Sequence, residues 1–121
     1  MHHFKIVQKS QDNNYFREVL ANGEHTQLVV MSIEVGSEIG EEVHDKEDQI
    51  LFFTEGEGKA QVGGETQSVE AGDCVLVPAG TVHNFLNTGE VPLKLFTTYS
   101  PPHHPAGTIH QTKADAEAAE Y

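Results

Sequence analysis

Apolar residues in this chain come in short bursts, and that limits the folds open to it more than any other feature. Each burst is about 4–8 residues long, rich in Val, Leu, Phe and Thr, and closed by Gly, Pro or Asn. Runs of that length and make-up are strand signals, and none is long enough for an amphipathic helix. They predict strands at Tyr15–Leu20, Gln27–Glu34, Gln49–Thr54, Gly58–Val62, Thr66–Val69, Cys74–Val77, His83–Leu86 and Leu93–Tyr99. Val62-Gly63-Gly64-Glu65 reads as a tight hairpin, because paired glycines accept the positive φ of a primed turn. Asn87-Thr88-Gly89-Glu90 is a second turn. Many short strands joined by such turns imply an all-β sandwich or barrel.

The C-terminal part departs from this pattern. Pro101, Pro102 and Pro105 interrupt regular pairing after the last predicted strand. Thr112 then offers a cap to an Ala/Glu-rich stretch running to Glu120, which predicts a short helix. A chain of 121 residues accommodates one domain. We therefore expect a single domain over 1–121, with a barrel core at about 15–99 and a Pro/His-rich segment plus short helix at 100–121.

Charge narrows the partners. Seven Lys and Arg against 19 Asp and Glu give a formal charge of −12. Nucleic acid and anionic membrane surfaces call for a basic footprint that is missing here. No apolar run approaches the roughly 20 residues of a membrane span. The one cysteine, Cys74, cannot close an internal disulfide, and the N-terminal residues show no secretory pattern. A cytoplasmic location is the expectation. Cys74 itself reads as a small buried filler, since no histidine stands at a spacing that would activate its thiol.

Four side chains are candidate metal ligands: Glu42, His44, Gln49 and His83. Residues i and i+2 of an extended strand share a face, so Glu42 and His44 project together. Gln49 opens the next apolar run, and His83 follows a Pro78-Ala79-Gly80 turn. A barrel can bring all four to one interior point. Imidazole nitrogens with a carboxylate suit a divalent metal of intermediate softness, and Mn, Fe, Co, Ni, Cu and Zn all accept such a set.

The spacing of these residues resembles that of the small single-domain cupins, the type-2 conserved-barrel group. That family's first motif reads G-x5-H-x-H-x3,4-E-x6-G, and Gly36, Glu42, His44, Gln49 and Gly56 stand at its positions. Its second motif, G-x5-P-x-G-x2-H-x3-N, is met throughout by Gly72, Pro78, Gly80, His83 and Asn87. The first motif departs from the family: Glu42 replaces a histidine and Gln49 replaces a glutamate. A register that aligned Lys46 as a ligand would spoil the glycine spacing, and a protonated lysine cannot ligate. The resemblance implies a double-stranded β-helix, or jelly-roll, with one divalent transition metal held by Glu42, His44, Gln49 and His83. Gly36, Gly56, Gly72, Pro78 and Gly80 are then turn devices, and Asn87 supports a turn.

Strand parity sketches a pocket. If Gln49 and His83 face inward, so do Leu51, Phe53 and Phe85. Ile50 and Phe52 make the opposite face of the same strand apolar as well, and a strand apolar on both faces needs cover on both. A homodimer is expected to supply it. His103, His104 and His110 either fold back over the barrel mouth, as outer partners of the ligands, or sit on a surface loop or subunit contact. The acidic stretch from Glu38 to Asp48 should favour cations, with Asp45 and Glu47 in a solvated loop. The chain has a single arginine, Arg17, so no phosphate grip is evident.

The functional expectation is metal-dependent chemistry of oxygenase, isomerase or lyase type on a small molecule. The alternatives are a small-ligand or metal-binding sensor module without turnover, and a degenerate barrel without metal.

Overall fold

A computed structural model describes residues 1–119. Eleven elements follow one another: α1 (Ile6–Asp12), β1 (Arg17–Asn22), β2 (Gln27–Ile33), β3 (Asp48–Glu55), β4 (Glu57–Val62), β5 (Glu65–Glu70), β6 (Cys74–Val77), β7 (His83–Asn87), β8 (Leu93–Ser100), β9 (Ile109–His110) and α2 (Lys113–Ala118). The strands form two antiparallel sheets, ordered β6-β3-β8-β2-β1-β9 and β5-β4-β7. This is the expected all-β double-stranded β-helix. Every predicted strand is present, with ends displaced by a few residues.

The β4–β5 hairpin turns where the sequence places it. Gly63 and Gly64 both have positive φ, and Val62 pairs with Glu65 across them. Gly58 serves close approach instead. A Cβ there would lie 2.2 Å from the Leu86 carbonyl oxygen, so the β4–β7 contact that seats β7 depends on a bare backbone. Asn87, at the end of β7, does more than support its turn. Its amide donates to the carbonyls of Val91 and Ile33 and its oxygen accepts from Gly89 N–H, tying β7 to β2 of the opposite sheet.

Alternation along β3 decides the core. Gln49, Leu51 and Phe53 are buried while Ile50 and Phe52 lie half-buried on the outer face. Leu51, Phe53 and Phe85 belong to one apolar cluster with Val29, Met31 and Leu95. On the outer face Phe52 stacks on Phe96 at 4.7 Å between ring centres, and Leu76 of β6 is 58 % exposed.

Several expectations are corrected. Cys74 is exposed, not a buried filler. On β6, the edge strand of its sheet, it pairs with outward-facing Phe52 of β3 and so shares the outward parity. Helix α1 was not expected. It is only seven residues long and lacks a side-chain cap, and it holds by packing over the large sheet, where Ser10 bonds Thr54 at 2.7 Å. The C-terminal helix is shorter than its sequence pattern, ending at Ala118; the Thr112 cap is present, as a capping box with Asp115. Glu120 lies outside the described residues. The segment after β8 also rejoins the barrel, since β9 pairs with β1. No helix among the described residues is long and apolar enough to cross a membrane.

Candidate metal centre

An isolated antiparallel bridge joins the two motif segments. Glu42 N–H donates to the His83 carbonyl and His83 N–H to the Glu42 carbonyl, each at 2.9 Å. Directly opposed residues of such a pair send their side chains to the same face. Further bonds fix the loop: Gly80 N–H donates to the His44 carbonyl at 2.8 Å, and Gly40 N–H to the Asn84 side-chain oxygen at 2.9 Å. The ligand-type atoms of Glu42, His44 and His83 consequently lie within 4.8 Å of one another, and the two imidazole centres are 5.1 Å apart.

Hydrogen bonds set each donor's chemical form. His83 Nδ1 is 2.9 Å from the Thr81 carbonyl, which can only accept, so Nδ1 carries the proton and Nε2 keeps its lone pair. Thr97 donates its hydroxyl proton to the Ile50 carbonyl and therefore accepts from Gln49 Nε2 at 3.1 Å. That fixes the Gln49 amide with its oxygen turned away. This oxygen is buried and has no hydrogen-bond partner among the described residues. His44 Nε2 is likewise buried and without a hydrogen-bond partner, although Glu42 Oε2 lies 2.9 Å from it. The pair has ion-pair proximity without the directionality of a hydrogen bond.

Gln49 sits on β3 directly opposite Tyr99 of β8, and the Tyr99 ring meets that of His44 edge-on at 5.6 Å. Leu51, Phe53 and Phe85 extend the interior below the donors; Phe85 lies 6.1 Å from His83 and 5.9 Å from Phe53, ring centre to ring centre.

The segment after β8 folds back onto this cluster. Gln27 holds it: its amide oxygen accepts from the backbone N–H groups of His103 and His104, and its nitrogen donates to the His104 carbonyl at 2.7 Å. His103 then lies 4.3 Å from His44 between ring centres, and its Nδ1 meets Glu47 Oε2 at 2.6 Å. His44, Glu47 and His103 form a second group whose ligand atoms lie within 4.8 Å of one another. The expectation that Glu47 is solvated is thus overturned, because His103 folds over it, whereas Asp45 remains exposed. His104 and His110 are buried too, which removes the surface-loop alternative for both.

Burial and neighbouring charges shift Glu42, His83 and His104. His83 is lowered from the ordinary histidine value, chiefly by burial and also by His44, against the Thr81 bond and Glu42. Burial alone would raise Glu42, but its close pairing with His44 and the charges of Arg17 and His83 outweigh it and the carboxyl ends lowered. His104 is pushed down to about 2 by burial, with Arg17 and the neighbouring histidines adding to the shift. A cavity lined by Glu41, Gln61, Val82, His83 and Asn84 opens beside β7.

Arg17 and Gln27 are among the buried polar residues that escaped the sequence reading. Arg17 shares strand parity with Val19, and both lie buried on β1; that parity was the available signal.

The family model "Cupin domain" matches residues 29–99. Among curated proteins the chain is similar to YrkC of Bacillus subtilis (strain 168), 44 % identical over 121 residues; the match covers 95 % of this chain and 65 % of YrkC, so the chain spans just under two thirds of that relative. Among solved structures it is similar to BH2720 from Bacillus halodurans, with TM-score 0.96 and 44 % identity over 98 % of this chain and 94 % of the other. KdgF from Halomonas sp. shares the fold, with TM-score 0.68 and 22 % identity over 72 % of this chain and 78 % of KdgF.

Proposed function

The chain belongs to the cupin domain family, and from that premise we propose that Glu42, His44 and His83, with the Gln49 amide oxygen, hold one divalent transition metal for chemistry on a small molecule. The observation that carries this reading is the convergence of Glu42, His44 and His83, whose ligand atoms lie within 4.8 Å of one another, together with the buried Gln49 oxygen that has no hydrogen-bond partner among the described residues. A buried polar atom without a partner costs about 1–3 kcal/mol. A cation ligated by the Gln49 oxygen would recover that cost. The donor types suit Mn, Fe, Co, Ni, Cu or Zn.

When bound with an open position, such a metal polarises a substrate oxygen or activates water or dioxygen. Oxygenase-, isomerase- and lyase-type reactions all fall within that chemistry. The chain's own residues do the rest. The Thr81 carbonyl and Thr97 hydroxyl orient His83 and Gln49. Leu51, Phe53 and Phe85 give the site an apolar floor. His103, held by Glu47, stands beside His44 as an outer partner, while His104 and Tyr99 exclude water behind it; His110 lies farther out, against Arg17. The test is turnover of a panel of small carbonyl, enol and sugar compounds by metal-loaded and chelator-stripped protein. Activity that appears on loading and disappears on stripping is expected; activity indifferent to metal contradicts the proposal. A ligand-binding module without turnover is the second reading, favoured by the closure of residues 101–104 over the cluster. Ligand-induced melting shifts without product formation would establish it.

The outer face of β3 and β6 suits a second copy of the chain. Ile50, Phe52, Leu76 and Phe96 form an apolar surface there, and Leu76 is more than half exposed. Sedimentation should give a dimer of about twice the 13.3 kDa chain mass. Leu76→Glu should dissociate it, and a clean 13 kDa species of the unaltered protein at micromolar concentration would contradict it.

A further inference from the structure

Arg17 is the chain's only arginine, and it begins β1 on the interior side of the large sheet. The register sets it opposite Met31, a fully buried member of the core, and Arg17 itself is 6 % exposed. A guanidinium in such a place is expensive unless an anion accompanies it. Among the described residues no carboxylate lies within ion-pair distance of it. The contacts it does make are with uncharged groups. Its Cζ lies 5.2 Å from the centre of the Phe16 ring, and Nη1 donates to His110 Nδ1 at 3.3 Å. Since arginine can only donate, that nitrogen of His110 is an acceptor, as in a neutral imidazole. Nε is buried and has no hydrogen-bond partner among the described residues. The edge of the guanidinium that carries Nε is one that grips a carboxylate through two parallel N–H···O bonds.

We propose that Arg17 anchors the carboxylate of a small organic acid inside the barrel, on the same interior as Glu42, His44 and His83. The proposal deepens the functional reading by naming a substrate class, and it rests on that reading for what becomes of the rest of the acid. Its own evidence is the buried, half-satisfied guanidinium. Arg17 also lies within electrostatic reach of Glu42 and His104. A metal bound at Glu42 would draw on that carboxylate and leave Arg17 the more in need of an anion. A single guanidinium matches the one negative charge and two oxygens of a carboxylate. The same fork can hold two oxygens of a phosphate, but the further charge and oxygen of a phosphate would need additional donors that one buried arginine does not supply.

The test is calorimetric titration with propionate and pyruvate against propionamide and pyruvamide, with inorganic phosphate as a further arm. It is run on metal-stripped and zinc-loaded protein whose metal content is measured. The acids should bind roughly 10- to 100-fold more tightly than their amides, the range expected for charge-assisted bonds. Arg17→Met should bring the ratio close to one. Arg17→Lys, which keeps the charge and loses the fork, should give up most of it and serves if the methionine variant does not fold. Equal binding of acid and amide by the unaltered protein overturns the proposal, as does a preference that survives both substitutions. Phosphate binding more tightly than either acid also overturns it. Protein that takes up zinc yet shows no acid preference removes the anchor and leaves the metal reading standing. Acid preference in protein that takes up no zinc does the reverse.

Discussion

Replacing His83 by alanine should strip the metal from the protein. The unaltered chain, loaded and dialysed, should hold close to one divalent ion, and His83→Ala should hold almost none. His83 Nε2 is one of only two imidazole donors in the proposed set, and its orientation is locked by the Thr81 carbonyl. Loss of an outer partner of a metal ligand already costs about 10–100-fold in affinity, so loss of the ligand itself should cost at least that. His103→Ala is the graded comparison. It removes the ring packed against His44 and bonded to Glu47, and should weaken binding by about tenfold while leaving a measurable site. Elemental analysis and competition with a chromophoric chelator give both numbers. Unchanged metal content in His83→Ala would remove His83 from the ligand set.

Acid should destabilise the metal-free protein steeply, and the sign follows from His104. Its pKa is near 6.5 in an unfolded chain and about 2 in the folded one. Between those values the unfolded state binds the proton and the folded state does not. The stability is therefore whole above about pH 6.5 and drains away as pH falls toward 2. One such group contributes on the order of 1 kcal/mol per pH unit, so about 2–3 kcal/mol between pH 6.5 and 4.5. Against a total of about 5–15 kcal/mol for an ordinary domain this is a large fraction. His83, also lowered, adds in the same direction. Glu42 adds too, because a lowered carboxyl stabilises above its ordinary value of 4.5 and ceases to as pH falls through the folded value. Easing repulsion within a chain of charge −12 acts the opposite way. Urea midpoints at pH 7.5, 6.0 and 4.5 should therefore be compared with those of His104→Phe, which keeps the ring packed against Tyr99 and removes the titration. The variant should show a visibly shallower fall. Parallel curves would contradict the burial of an uncharged imidazole there.

What the sequence made legible follows from period and spacing. Alternation in Gln49-Ile50-Leu51-Phe52-Phe53 showed which residues enter the core, because side chains of a strand alternate strictly. Turn chemistry at Gly63-Gly64 fixed a hairpin, and motif spacing brought Glu42, His44 and His83 to one place before any sheet order was known. What stayed hidden depended on long-range closure. Helix α1 owes its existence to the sheet beneath it. Glu47 looked like one more solvated acid until His103, 56 positions away, folded over it. Cys74-Val75-Leu76-Val77 is apolar at every position, so its parity could not show that Cys74 faces out. Arg17 was noticed as the single arginine, but its partner His110 comes from the far end of the chain, where β9 pairs with β1.

The central claim is that two imidazoles and a carboxylate, with an amide oxygen, surround one cation. X-ray absorption at the metal edge of protein loaded with a single equivalent of zinc tests it most directly. The account predicts two imidazole nitrogens completed by oxygen donors, at about 2.0–2.2 Å, with one imidazole lost in His83→Ala. An all-oxygen shell like that of the hydrated ion, or any sulfur scattering from Cys74, would contradict it.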